Sequence, residues 1–191
     1  MTAIAGIRRT HTCKGPAGSD WTDWTDDQQR CDALFAAACI RPADRVLDVG
    51  CGTGAATRIA ARLASRGHAV GVDISAPLLR TAQKLTAAEK LANASYQVAD
   101  AQVHPFPPCG YDVIVSRGVV LSFADPAAAF RNLAGALMPG GRLAFVCPRS
   151  HSDLNGIRAV LDGWENVEVE LRGSVRLATA DRPRRVPADL D

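Results

Sequence analysis

The 191-residue chain has no run of 18 or more apolar residues, and its first twenty residues hold no apolar core of signal-peptide length. We therefore expect neither a membrane-spanning helix nor a secretory leader. Its six cysteines stand at 13, 31, 39, 51, 109 and 147, and no two have the spacing of a structural zinc site. No metal is expected, and six free thiols fit a reducing cytoplasm. Charge of one sign is also scarce: 22 Lys and Arg against 20 Asp and Glu leave a net +2, too little for the electrostatic footprint of a nucleic-acid binder. With 47% hydrophobic and 22% charged residues, the composition excludes a disordered or collagen-like chain and fits one globular domain.

What is present is layered. Residues 1 to 24 show no period and read as a flexible arm, with Trp21 and Trp24 serving either as a lid or as the apolar face of a packed helical turn. Thr25 and Gln28 make a capping box, and Cys31, Leu34, Phe35 and Ala38 recur at helical spacing, which predicts a helix over 26 to 39. From Arg45 the runs RVLDV, HAVGVD, SYQVA, DVIVS and RLAFVC alternate with helical segments near 54 to 66, 76 to 90 and 126 to 138. That alternation is the sequence form of an α/β domain with a parallel sheet. Ser75, two residues before Pro77, and Asp125, directly before Pro126, mark helix starts, and Pro139-Gly140-Gly141 marks a stop. A short helix capped by Ser152 follows, then Val167, Val169 and Leu171 alternating with two glutamates, then a turn at Arg172-Gly173 into SVRLAT. These predict a closing antiparallel hairpin. The domain is expected over residues 25 to 180, and 181 to 191 as a tail whose Arg182, Arg184 and Arg185 form a solvated cluster.

The segment VLDVGCGTG, residues 46 to 54, carries the most chemistry. It leads an apolar strand into a turn with Gly50, Gly52 and Gly54 and then into a helix start, where backbone N–H groups are free and a ligand can approach closely. Gly50, Gly52 and Ala55 also satisfy the dinucleotide fingerprint, so an NAD-dependent oxidoreductase is an alternative. Asp48 argues against it, because a carboxylate at this strand end repels a pyrophosphate and attracts a ligand bearing ammonium and sulfonium charge. Asp73 ends the second predicted strand and Asp100 follows the third, so both face the same crevice. Asp73 has the spacing of a ribose-binding acid, Asp100 can accept from an adenine amine, and Ile74 offers the ring an apolar face.

With these residues in place, the chain resembles a class I S-adenosylmethionine-dependent methyltransferase of the small-molecule, ubiquinone and menaquinone biosynthesis-type branch. The motifs VLDVGCGTG, VGVDIS, ADAQVHPFP, YDVIVSR and LMPGGRLAFV follow one another in the family's order. The resemblance implies a Rossmann-like doubly wound sheet of order 3-2-1-4-5-7-6 with strand 7 antiparallel. It implies S-adenosyl-L-methionine as cofactor, held by Asp48, Gly50, Cys51, Gly52, Gly54, Asp73, Ile74, Asp100, Ala101, Ser116 and Arg117. A small-molecule methyl acceptor reacting through oxygen, nitrogen or carbon is implied as well, with neither nucleic acid nor membrane as partner. The chain departs from the pattern in having only about half a dozen residues between the fifth strand and the last helix, where relatives carry a substrate cover. An internal shortening is the expectation. The cover is then supplied by the arm, by a second subunit as in a homodimer, or by nothing, and a cofactor-binding protein that transfers no methyl is the alternative function.

Other side chains read more plainly. His104 is expected to be a loop residue before Pro105, and Cys51 a structural thiol whose backbone alone meets the ligand. His151 is the one candidate base, set against a solvated residue between two serines.

Overall fold

The computed structural model describes residues 27–119, 122–148, 154–172 and 175–184. Among these residues five helices, α1 (Asp27–Ala38), α2 (Ala55–Leu63), α3 (Ala76–Ala88), α4 (Pro126–Ala136) and α5 (Leu154–Val160), alternate with seven strands. The strands are β1 (Arg45–Val49), β2 (His68–Asp73), β3 (Ala94–Val98), β4 (Tyr111–Arg117), β5 (Leu137–Pro148), β6 (Glu165–Arg172) and β7 (Val175–Asp181). They form one sheet in the order β3-β2-β1-β4-β5-β7-β6. The first five are mutually parallel, and β7 runs antiparallel to β5 and β6. Val49 pairs with Val72 and Ser116, and Asp73 with Val98. The carboxyl ends of four strands therefore open on one crevice, the place where such sheets bind ligands.

Alternation along the central strands buries both faces. Leu47, Val49 and Ile114 pack with Phe130 and Leu133 of α4 and Ile157 of α5. Val46, Val113 and Val115 pack on the other face against Leu34 and Phe35 of α1 and Ala56, Ala60 and Ala61 of α2. The alanines let α2 lie close to the sheet, which brings its first turn down onto the end of β1. Phe130 and Phe145 meet edge to face at 5.5 Å, an arrangement that fixes α4 over β5.

Several local expectations change. Asp125 caps α4 by accepting from the Ala128 N–H at 2.9 Å, but Ser75 makes no side-chain cap. Pro139-Gly140-Gly141 lies inside β5, which starts at Leu137, because the chain there pairs with Tyr111 before slipping register. Asp181, expected to open the tail, is the buried last residue of β7, where it accepts from Arg142 Nε at 2.9 Å and from Asn166. Val169 is half-buried, whereas Val167 and Leu171 are exposed, since β6 is the sheet's edge. The six free thiols are corrected as well: Cys51, Cys109 and Cys147 are not disulfide-bonded, but Cys39 is. Spacing rules out a metal knuckle but does not reveal a disulfide, so the cysteines no longer argue for a reducing compartment. Among the described residues no helix is long and apolar enough to cross a membrane. Trp21, Trp24, Thr25, His151, Ser152 and Arg185 lie outside the described residues.

Candidate functional site

At the end of β1 the chain turns sharply over β2, with the Gly50 and Cys51 N–H groups both donating to the Val72 carbonyl, at 2.8 and 3.0 Å. Two glycines are required there for different reasons. Gly50 has φ +71°, and a Cβ on it would lie 2.0 Å from Cγ2 of Val119. Gly52 has φ +55°, and a Cβ on it would meet nothing within 4 Å. The backbone at Gly52 thus borders open space that a side chain would fill, while at Gly50 the loop is packed against the segment after β4. Gly54 is the N-cap of α2 and backs onto the Tyr96 ring, so it shapes the loop from behind.

Beneath the loop lies Asp48, which is buried on the α2 side of β1. Thr57, the third residue of α2, donates its hydroxyl to Asp48 Oδ2 at 2.6 Å. The other oxygen, Oδ1, has no hydrogen-bond partner among the described residues. Burial pushes the Asp48 pKa up to about 6, against the opposing pull of the Thr57 bond and the Arg117 charge. Burial, with the nearby Asp48 and Asp73, also pushes the Cys51 thiol up to about 12, so Cys51 stays neutral and is no nucleophile.

The other two carboxylates are more open. Asp73 accepts from the Gly52 N–H through Oδ2 and from the Ser75 N–H through Oδ1, both at 2.9 Å. It therefore ties the glycine loop to the start of α3. Asp100 accepts from the backbone N–H and the side-chain amide of Gln102, and these bonds hold its carboxyl below the ordinary range. Ser116 is fully buried and donates to the Val49 carbonyl at 2.8 Å, joining β4 to β1.

A cavity of about 310 Å³ opens at these strand ends. Of the expected site residues, Gly50, Asp73, Ile74, Asp100 and Ala101 line it, while Asp48, Cys51, Gly52, Gly54, Ser116 and Arg117 do not. Ile74 is 74% exposed and stands as an apolar wall, and Ala101 is buried in the floor. Gln102, Val119 and Phe123 also line the cavity and were not foreseen. No period or motif marked the last two, but a glutamine two residues after Asp100 was a legible sign of a braced carboxylate. Thr57 was missed although it stands three residues after the last loop glycine, where a helix's first turn faces the strand it follows. His104 is half-buried, with its ring edge-on to Phe106 and hydrogen-bonded to Gln97. A larger cavity of about 440 Å³ lies between α4 and α5, beside Trp164 and Arg131. It contains none of the strand-end residues, so the smaller cavity is the one with the convergent polar groups expected of a ligand site.

Residues 40–179 match the family model described as a methyltransferase domain. The chain is 36% identical over 106 residues to an aklanonic acid methyltransferase from a Streptomyces species, an alignment covering 55% of this chain and 48% of that one. An uncharacterized methyltransferase of Mycobacterium bovis is 39% identical over 129 residues, covering 66% and 61%. The chain thus spans about half to three-fifths of the length of these curated relatives. Among solved structures, phosphoethanolamine N-methyltransferase 2 of Haemonchus contortus in complex with S-adenosyl-L-methionine superposes with a TM-score of 0.72 at 20% identity, covering 82% of this chain and 52% of that one. The family match takes in the glycine loop, all three carboxylates and the sheet through most of β7, and the chain belongs to the methyltransferase-domain family.

Proposed function

We propose that the protein binds S-adenosyl-L-methionine in the strand-end cavity and transfers its methyl to an oxygen, nitrogen or carbon atom of a small molecule. The observation that carries this is the charge of the site. Two carboxylates line the cavity, a third lies buried beneath the adjoining loop, and among the described residues no lysine or arginine lines it. Such a site suits a cationic ligand with ribose hydroxyls and opposes the pyrophosphate of NAD. The cradle fits the cofactor in two further respects: the open space over Gly52 admits a ligand close to the backbone, and Asp48 Oδ1 is an acceptor still lacking a donor.

In this reading Asp73 binds the ribose hydroxyls, Asp100 and the Ala101 backbone meet the adenine, and Ile74 covers one face of the ring. Asp48, Gly50, Gly52 and Gly54, with Arg117 at the end of β4, surround the methionine end. When bound, S-adenosylmethionine supplies a methyl activated by its sulfonium sulfur, so the protein's part is to position the acceptor and exclude water. Only residues 149 to 153 separate β5 from α5. We take the acceptor's cover to come from the N-terminal arm or from a second copy. That short connection also favours a second reading, a cofactor-binding protein that transfers no methyl. Incubation with methyl-labelled cofactor and a panel of phenols, carboxylic acids, amines and activated carbon acids separates the two: label in an acceptor supports transfer, and bound cofactor with no labelled product across the panel supports the second reading.

A further inference from the structure

The glycine loop rests on a buried pair of side chains, Asp48 on β1 and Thr57 on α2. Thr57 is fully buried, and its hydroxyl lies 2.6 Å from Asp48 Oδ2. There is no slack around it. A Cβ placed on Gly71 of β2, the register partner of Asp48, would sit 2.6 Å from Thr57 Oγ1 and 2.8 Å from Cys51 Sγ. Water cannot take over the hydroxyl's bond in so filled a space. Besides this hydroxyl, only the Thr57 backbone N–H steadies Asp48 by hydrogen bonding, and among the described residues Oδ1 is unpartnered.

We infer that Thr57 is a positioning residue for the cofactor: its hydroxyl holds the Asp48 carboxylate fixed and ionised beneath the glycine loop, so that the negative charge a cationic ligand needs is in place near neutral pH. This rests on the reading that S-adenosylmethionine is the ligand. A hydrogen bond donated to an ionised carboxylate favours the ionised form, and here it opposes the desolvation that favours the neutral acid. Every other charge facing the pair is accounted for. Arg117 at the end of β4 also favours ionisation, Asp73 at the end of β2 opposes it, and the Cys51 thiol in the loop is neutral. Replacing the hydroxyl by a methyl keeps the shape and the Thr57 backbone N–H while leaving both carboxylate oxygens without a side-chain donor.

The test uses the full chain with Thr57→Val, Thr57→Ser and Asp48→Asn. The first measurement needs no ligand: the Asp48 carboxyl is titrated by carbon NMR. Its midpoint is expected near 6 in the wild type, about one pH unit higher in Thr57→Val, and restored in Thr57→Ser. The second is the calorimetric affinity for S-adenosylmethionine against pH. Thr57→Val is expected to bind about fivefold more weakly at pH 6 but less than twofold more weakly at pH 8, whereas Asp48→Asn shows no such pH step. An unmoved Asp48 midpoint, or an affinity loss equal at every pH with a lowered melting temperature, reduces Thr57 to a structural residue and overturns the inference. If Thr57→Val does not fold, the pH step in wild type and Thr57→Ser, and its absence in Asp48→Asn, still decide whether the Asp48 charge governs binding. If the wild type binds no S-adenosylmethionine at any pH, the proposed function fails and takes this inference with it, while the ligand-free titration shows that failure to be separate from the Thr57 bond.

Discussion

Asp48→Asn, studied without ligand, probes what the buried carboxylate does to the folded chain. The Asp48 carboxyl titrates at about 6 in the folded protein against an ordinary 3.8. The folded state therefore holds this proton more tightly by about 3 kcal/mol, at ~1.4 kcal/mol per pH unit. The sign follows directly. Below pH 3.8 both states are protonated, and stability does not depend on this group. Between 3.8 and about 6 the unfolded chain releases its proton while the folded chain keeps it, so wild-type stability falls as pH rises, and above that window the loss is complete. Asparagine cannot titrate but can still accept from Thr57, and all other groups cancel in the comparison. Urea unfolding of both proteins from pH 4.5 to 8 is therefore expected to show the variant gaining on the wild type with pH by about 2 kcal/mol, because about 1 of the roughly 3 kcal/mol is already lost by pH 4.5. Saturating S-adenosylmethionine should shrink the gap by stabilising the charged wild-type site. A difference that stays flat, or a wild type that gains on the variant as pH rises, would show that Asp48 is paired rather than desolvated and would refute the reasoning.

Asp73→Ala is expected to weaken S-adenosylmethionine binding by about 1.5 to 3 kcal/mol by calorimetry, through lost charge-assisted bonds. Because Asp73 also holds the Gly52 and Ser75 N–H groups, the variant should lose about 1 to 2 kcal/mol of stability as well. Gly50→Ala and Gly52→Ala both force a side chain into a positive φ, but only the former collides with Val119. Urea melts are expected to place Gly50→Ala lower by about 1 to 3 kcal/mol, with Gly52→Ala losing mainly affinity. Arg142→Leu leaves the Asp181 charge buried opposite an apolar side chain. It should cost about 3 to 5 kcal/mol in urea unfolding, and the double change with Asp181→Asn should recover much of that loss.

The fold was legible because its signals are local and agree with one another. Apolar strands such as RVLDV and DVIVS bury residues on both faces, and their alternation with helical segments leaves a parallel sheet as the natural arrangement. The site was legible where strand ends dictate position: Asp73 and Asp100 must reach the crevice if their strands are parallel neighbours. It was illegible where function depends on packing between distant segments. Nothing in the order of residues says that Val119 closes over Gly50, that Ser116 turns inward to the Val49 carbonyl, or that Thr57 reaches across to Asp48. Nor does the order of residues say that Asp48 lies buried beneath the loop, directed by β1 toward α2, and not among the residues lining the cavity.

The central claim is that this crevice selects a cationic, phosphate-free nucleoside ligand. Calorimetric titration of the full chain with S-adenosylmethionine, S-adenosylhomocysteine and NAD in one buffer at pH 8 tests it most directly. The account predicts one-to-one binding of the first two and no detectable heat of binding from NAD. Micromolar binding of NAD, or silence from all three, contradicts it.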